Sequence, residues 1–184
     1  MGRNPFANLT ITEARDAALP DVLAVERTAF GSNTEPALVQ DLLGDPSARP
    51  LLSLLAWDGE KAVGHILFSA VRWEDPACTI SASLLAPLAV APEAQGRGVG
   101  GALIERGAAL LTESGVELVF VLGHPGYYPR CGFEPAFPQG LAAPYPISPA
   151  EAWMVRALRP GLLGTVRGTV VCADTMNRPE YWRE

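Results

Sequence analysis

The chain has 184 residues, of which 48% are hydrophobic and 18% are charged, and its formal net charge is −6. A composition of this kind predicts one folded domain over residues 1–184 and excludes a disordered chain. Because the net charge is negative and the sequence has no basic block, we expect no nucleic-acid partner. An acidic surface favours a cationic small molecule as the partner instead.

The apolar runs and the first residues indicate neither a membrane protein nor an exported one. No apolar run reaches the roughly 18 residues that a membrane helix needs, and residues 1–8 lack the basic-then-apolar pattern of a signal peptide. We therefore expect a cytoplasmic location and no membrane partner. The three cysteines are widely spaced and there are two histidines, so the sequence predicts neither disulfides nor a metal site.

The first part of the chain predicts a strand and two helices. Leu9–Glu13 alternates threonine with apolar residues, which is the pattern of a half-buried strand. A helix capped by Asp16 is predicted to run to about Phe30. A second, shorter helix is predicted with Thr34 as its cap and its end near Gly44.

Three apolar runs follow and predict consecutive strands: Leu51–Trp57, Ala62–Val71 and Thr79–Val90. The first two form a hairpin through the Asp58-Gly59 turn. Because no helix separates the three strands, they predict an antiparallel sheet. Pro87 lies inside the third run and predicts a bulge or a break in pairing, since proline has no N–H to donate.

The second half of the chain predicts one helix and three more strands. The helix spans Val99–Glu113, whose small and apolar residues recur at helical spacing. Leu118–Leu122 is wholly apolar and predicts a buried central strand. Residues 135–149 are rich in proline, glycine and alanine and predict a loop, whereas Trp153–Leu158 and Val166–Cys172 predict two late strands.

The stretch from Leu88 to Gly101 combines the end of a strand, a glycine-rich loop and the start of a helix. This arrangement favours phosphate binding, because a helix N-terminus has unpaired N–H groups and glycines let the backbone approach an anion. Arg97 adds a positive charge. The lysine of a P-loop is missing, but Gly96, Gly98 and Gly101 match G-x-G-x-x-G, which keeps a dinucleotide-dependent oxidoreductase as an alternative.

The glycine-rich loop and its neighbours together resemble a known family. Gln95-Gly-Arg-Gly-Val-Gly100 resembles the Q/R-x-x-G-x-G/A signature of the GNAT superfamily of acetyl-CoA-dependent N-acetyltransferases. Leu88-Ala-Val90 and Leu118–Leu122 resemble the strands on either side of that signature. Tyr128-Pro-Arg-Cys-Gly-Phe133 resembles the family's Y-x-x-x-G-F segment. The resemblance covers about Leu9 to Phe133 in element order and is specific over its second part, from Leu88.

The resemblance implies an α/β fold of GNAT type. Its central sheet is mixed and mostly antiparallel, is flanked by helices, and has its fourth and fifth strands splayed apart around the cofactor. Residues 135–184 would form the C-terminal loop and late strands, which close one side of the acceptor site. Because family members often dimerise through late strands, we expect a possible homodimer through Trp153–Cys172.

The resemblance also implies the chemistry. Acetyl-CoA is the cosubstrate, no metal takes part, and the acetyl group passes directly to a primary amine of a small molecule or peptide in a ternary complex. The phenol of Tyr128 would protonate the leaving thiolate or hold it by a hydrogen bond, and a backbone N–H near Val90 would stabilise charge on the thioester oxygen. The residues implied to bind the cofactor are Leu88, Ala89, Val90, Gln95, Gly96, Arg97, Gly98, Val99, Gly100 and Gly101.

The residue that takes the proton from the amine stays open. The predicted fourth strand has no carboxylate where many family members have a glutamate, and Gly123 lies near their usual asparagine. The missing glutamate supports an alternative function, a non-catalytic acyl-CoA sensor. His65 and Cys131 are interpreted as core residues. Candidates for the proton acceptor are Glu26, Glu35, Glu74, Asp75 and His124, or a water chain past Ser81 or Ser83.

Overall fold

A nine-stranded sheet runs through the part of the chain that the computed structural model describes, residues 8–183. The helices are α1 (Leu19–Phe30), α2 (Thr34–Gly44) and α3 (Val99–Glu113), and short 3₁₀ turns occupy several connections. The strands are β1 (Leu9–Glu13), β2 (Leu52–Asp58), β3 (Lys61–Trp73), β4 (Ala82–Val90), β5 (Leu118–Leu122), β6 (Glu134–Pro135), β7 (Leu141–Ala142), β8 (Trp153–Ala157) and β9 (Gly168–Val171).

The direction of each strand follows from the connection that precedes it. The strands β1 to β4 are antiparallel neighbours, and the main path of the sheet continues in the order β4-β5-β8-β6. β4 and β5 pair in parallel because α3 carries the chain back across one face of the sheet. β9 pairs with the end of β3 and with β7. The predicted fold class, a mixed and mostly antiparallel sheet flanked by helices, is confirmed.

Both faces of the sheet are buried under helices. α1 and α2 cover the face that contains Leu55 and Leu67, and α3 covers the face that contains Ile66 and Phe68. α3 lies close to β3, because Gly107 has no side chain and a Cβ at this position would overlap the ring of Phe68. The predicted bounds and buried face of this helix are confirmed.

β4 contains a bulge at the point where its pairing with β5 ends. Phe68 of β3 pairs with Leu85 and Ile66 pairs with Leu88, so one residue of β3 faces two residues of β4, including Pro87. The bulge that Pro87 predicted is therefore confirmed. β5 pairs with β4 only as far as Leu85, and β4 runs on to Val90 without it. The bulge lies where this pairing ends, which is where the predicted splay of the fourth and fifth strands begins.

The helix caps predicted from the sequence are wrong in detail. Asp16 does not cap α1 but opens a 3₁₀ turn, Asp16–Ala18, and the helix begins at Leu19. Thr34 is the first residue of α2 rather than its cap, and its N–H donates to Ser32 Oγ over 3.1 Å. A sequence shows which oxygens could cap a helix, but the turn that leads into the helix decides which of them is used.

The segment predicted as a loop, residues 135–149, contains short strands. β6 pairs with β8 and β7 pairs with β9. Both partners are distant in sequence, so no local pattern predicts these pairings. β8 lies between β5 and β6, inside the sheet rather than at its edge. The homodimer through Trp153–Cys172 stays a prediction.

Candidate active site

A cavity of about 1030 Å³ opens where β4 and β5 diverge. Its walls come from the bulged end of β4, the glycine-rich loop and first turn of α3, the segment after β5, the corner between α1 and α2, and the C-terminal residues. Ala89, Arg97 and Gly101 lie outside this lining. The predicted site residues that line the cavity are Leu88, Val90, Gln95, Gly96, Gly98, Val99, Gly100 and Tyr128.

β4 turns one backbone edge toward the cavity. The N–H of Ala91 donates to the carbonyl of Val63 on β3 over 2.8 Å, and backbone groups alternate in direction along a strand. The backbone of Ala89 therefore faces β3, whereas the backbone groups of Leu88 and Val90 face the side that β5 has left. Ala89 is 1% exposed and is a packing residue, so two of the three predicted strand residues present the open edge.

The start of α3 is open to an anion. Gly96 and Gly98 have φ angles of 71° and 83°, which favour glycine, and no side chain caps the helix. The N–H of Ala102 bonds to the carbonyl of Gly98 over 3.0 Å, so the N–H groups of residues 99–101 precede the helical bonding pattern. Together with the helix dipole, these groups form an anion-binding end that borders the cavity.

Gln95 ties the glycine-rich loop to β4. Its side-chain Nε2 donates to the carbonyl of Val90 over 3.1 Å. This bond uses the Val90 carbonyl and leaves the Val90 N–H directed toward the cavity. Gln95 therefore fixes the loop against the strand, in addition to lining the cavity.

Tyr127 and Tyr128 both enter the cavity from the turn after β5. Their rings meet edge to face with centroids 5.1 Å apart. Tyr128 packs on Gly123, where a Cβ would overlap its ring, so glycine makes room for the tyrosine at this position. Tyr127 places its hydroxyl beside Gly100 at the start of α3, and burial raises the pKa of the Tyr127 phenol.

The structure separates the candidate proton acceptors by position. Glu35 and His124 line the cavity. His124 Nδ1 accepts the N–H of Gly126 over 3.0 Å, so a neutral His124 carries its proton on Nε2 and acts as a donor. Glu35 accepts a hydrogen bond from Ser32 Oγ, which orients its carboxylate at the start of α2. Outside the cavity lining lie Glu26, Glu74, Asp75, Ser81 and Ser83.

Glu26 and His65 form a buried pair between α1 and β3. Both side chains are 0% exposed, and His65 Nδ1 lies 2.5 Å from Glu26 Oε1. His65 Nε2 lies 2.8 Å from Ser53 Oγ. Burial raises the pKa of Glu26, His65 opposes this rise, and the charge of Glu35 adds to it. His65 is buried, as the sequence interpretation expected, and its partners are Glu26 and Ser53.

Cys131 is partly buried against the core cluster under α3, and burial raises the pKa of its thiol. A protonated thiol is a poor nucleophile, which fits the interpretation of Cys131 as a packing residue. Among residues 8–183, no three His, Cys, Asp or Glu side chains come together as metal ligands. Within the same residues, each helix is too short or too polar to cross a bilayer.

The sequence did not predict the part that the last residues play in this cavity. Met176 and residues 180–183 line it, whereas the loop and late strands from 135 to 172, which were expected to close the acceptor site, lie outside the lining. The available signal was the aromatic pair Tyr181-Trp182 at an otherwise polar end of the chain.

The combination of a splayed sheet, an uncapped helix start and paired tyrosines has a match among known families. The family described as Acetyltransferase (GNAT) domain matches residues 10–136. This span contains the glycine-rich loop, β5 and the Tyr128 segment, and it is more than half of the chain. The chain therefore belongs to the GNAT family and is an acetyltransferase.

Relatives of known sequence or structure agree with this family. The uncharacterized N-acetyltransferase YjhQ of Escherichia coli K12 is 49% identical over 168 residues, 89% of this chain and 91% of that protein. The crystal structure of the Escherichia coli GNAT protein YhbS in complex with CoA matches with a TM-score of 0.85 and 31% identity, over 97% of each chain. A Brucella melitensis GNAT acetyltransferase in complex with acetyl-CoA matches with a TM-score of 0.72 and 29% identity, over 92% of this chain and 98% of that chain. These matches argue against the dinucleotide-dependent oxidoreductase.

Proposed function

We propose that the protein transfers the acetyl group of acetyl-CoA to a primary amine of a small molecule or peptide, by direct attack in a ternary complex. The observation that carries this proposal is the single cavity that joins the open edge of β4, the uncapped start of α3, and Glu35 and Tyr128. An anion site, a strand edge, a proton acceptor and a proton donor are the groups that such a transfer requires.

The residues of the cavity fit coenzyme A. Acetyl-CoA supplies an activated acetyl group, a pyrophosphate and an amide-containing arm. The N–H groups at the start of α3, in the stretch from Gln95 to Gly101, would bind the pyrophosphate, and Arg97 adds positive charge to that loop. The backbone groups of Leu88 and Val90 would pair with the arm as an added strand does. The CoA and acetyl-CoA complexes of the two related structures support this assignment.

Proton transfer would fall to groups on different elements that line the cavity. A primary ammonium group has a pKa of about 10, so it must lose a proton before it can attack. Glu35 would accept this proton, because its carboxylate lines the cavity and the acceptor nitrogen of His124 is already used by Gly126. The N–H of Val90 would stabilise negative charge on the thioester oxygen. As the C–N bond forms and the C–S bond breaks, Tyr128 would donate to the departing thiolate, since a phenol of pKa about 10 can hold or protonate a thiolate whose acid has a pKa of about 8.5. The attacking nitrogen loses one further proton to become the amide, and this proton would restore the Tyr128 phenol.

The proposal is tested first by ligand-dependent melting. A ligand at 100 times its dissociation constant stabilises a protein by about 2.7 kcal/mol, which corresponds to roughly 5–10 °C for a domain of this size. We expect this shift with acetyl-CoA and with coenzyme A, and none with NAD. Thiol release in the presence of a panel of primary amines then tests transfer. Binding without thiol release across the panel would support the acyl-CoA sensor instead.

A further inference from the structure

The last described residues form one wall of the cavity, next to the corner between α1 and α2. In this segment, called the tail (residues 174–183), Met176, Glu180, Tyr181 and Trp182 line the cavity. Since coenzyme A is assigned to the wall made by β4 and α3, the tail, the α1–α2 corner and the segment after β5 enclose the remaining space. An amine that attacks the thioester must approach through this space.

The chemistry of this end is acidic and apolar. The tail contributes the carboxylate of Glu180, and the corner contributes that of Glu35, while Arg183 is the one cation of the tail in the lining. The apolar surface includes Tyr181 and Phe30, and Phe30 is 43% exposed although it is a large hydrophobic residue. A carboxylate favours an ammonium group, and exposed aromatic rings favour an apolar or aromatic body or a cation over their faces.

The tail is held in place at its first residues by Asp45, at the end of α2. Asp45 Oδ2 accepts the N–H and the hydroxyl of Thr175 over 2.9 and 2.7 Å. Asp45 Oδ1 accepts the N–H and the hydroxyl of Ser47 over 2.8 and 2.6 Å. Ser47 Oγ in turn accepts the N–H of Asp174 over 2.8 Å. One carboxylate thus joins the turn after α2 to the tail.

The other end of the tail is held by Trp182. This side chain is 3% exposed, and its Nε1 donates to the carbonyl of Met176 over 2.8 Å. The indole packs on Tyr145 and on Trp153, with ring centroids 5.8 Å apart in each case. Glu180 and Tyr181 lie between two fixed points, so their side chains are presented to the cavity from a rigid frame.

We propose that the tail is the acceptor-recognition element of this enzyme, and that it selects an amine with a positive charge next to an apolar or aromatic body. Glu180 and Tyr181 recognise the acceptor, and Asp45 is a positioning residue that acts through the tail. This inference rests on the proposed transfer from acetyl-CoA, because it takes the cavity space beside coenzyme A as the acceptor site.

The first test compares Glu180→Gln with Glu151→Gln. Both substitutions remove one exposed carboxylate, but only Glu180 lines the cavity, and Glu151 lies outside the tail. The readout is binding of 2-phenylethylamine, n-butylamine and 4-aminobenzoate to the protein saturated with coenzyme A. We expect 2-phenylethylamine to bind most tightly and Glu180→Gln to weaken it about tenfold, with Glu151→Gln equal to the natural protein. Equal effects of the two substitutions, tighter binding of 4-aminobenzoate, or binding of none of the three would overturn the inference.

The second test asks whether Asp45 acts through the tail. Asp45→Asn should weaken 2-phenylethylamine binding several-fold and leave the coenzyme A dissociation constant unchanged. Asp41→Asn, which removes an exposed carboxylate of α2, is the matched control and should change neither value. Parallel loss of coenzyme A binding in Asp45→Asn would show general destabilisation and contradict a positioning role. Failure of the natural protein to bind coenzyme A would overturn the proposed function. Binding of coenzyme A without selection among the three amines would instead overturn only the role of the tail.

Discussion

At the scale of single residues, substitution of two adjacent tyrosines can tell a proton donor from a packing residue. Tyr128 lies against Gly123 and Phe133, so a phenylalanine in its place keeps the ring contacts and removes only the hydroxyl. Because general acid catalysis contributes at least about a hundredfold, Tyr128→Phe should lower kcat by about that factor with little change in coenzyme A affinity. Steady-state kinetics with saturating acetyl-CoA measures the effect.

Tyr127→Phe is the matched control for this prediction. It removes a phenol that also lines the cavity but lies beside Gly100 at the start of α3. A smaller loss of kcat than in Tyr128→Phe supports the assignment. If Tyr127→Phe lost as much activity while Tyr128→Phe stayed active, the two tyrosines would exchange roles.

Glu26 gives a second residue-scale prediction, on stability rather than activity. Burial raises the pKa of Glu26 above 4.5 in the folded state. As the pH rises from about this value, the unfolded chain loses its proton while the folded chain keeps it, so the free energy of unfolding falls. Glu26→Gln keeps an oxygen for His65 but does not titrate. Urea unfolding between pH 4.5 and 8 should therefore show that the stability of the natural protein, relative to Glu26→Gln, declines as the pH rises.

The control for this pH dependence is Glu113→Gln, at the end of α3, where the carboxylate is exposed. Its stability should run parallel to that of the natural protein over the same pH range. A difference in the free energy of unfolding between Glu26→Gln and the natural protein that stayed constant with pH would contradict the raised pKa. It would mean that Glu26 has the same pKa in the folded and in the unfolded chain.

At the scale of elements, the start of α3 depends on the absence of a side chain at Gly100. A Cβ there would overlap the hydroxyl of Tyr127, so Gly100→Ala should displace Tyr127 or the first turn of the helix. Because the same turn is assigned to the pyrophosphate, we expect the coenzyme A-induced rise in melting temperature to fall by more than half. Gly44→Ala, at the end of α2 with open space around its position, should keep the full response. An unchanged response in Gly100→Ala would mean that the phosphates bind elsewhere.

At the scale of the whole molecule, local sequence patterns predicted individual helices and strands, whereas contacts between distant residues determine how these elements assemble. The apolar run of β5, the periodicity of α3 and the bulge at Pro87 all follow from short stretches of sequence, and the structure confirms them. β6 and β7 depend on pairing with β8 and β9, which no local pattern shows. The same limit applies to the tail, since it is held by contacts between residues distant in sequence, Thr175 with Asp45 and Trp182 with Trp153.

The splayed sheet makes a prediction for the molecule as a whole. Coenzyme A should connect the open edge of β4 with the start of α3, although these are separate walls of the cavity. In native-state hydrogen exchange, we expect binding to slow the amides of Leu88, Val90 and residues 99–101 well beyond those of β1 and β2. The reason is that the amides of β4 and α3 would gain hydrogen bonds to the ligand, whereas β1 and β2 are separated from β4 by β3. Protection confined to residues 99–101 would show that only the phosphates are held and that the arm does not pair with β4. Equal slowing in β1 and β2 would show a general gain in stability instead of a defined binding edge.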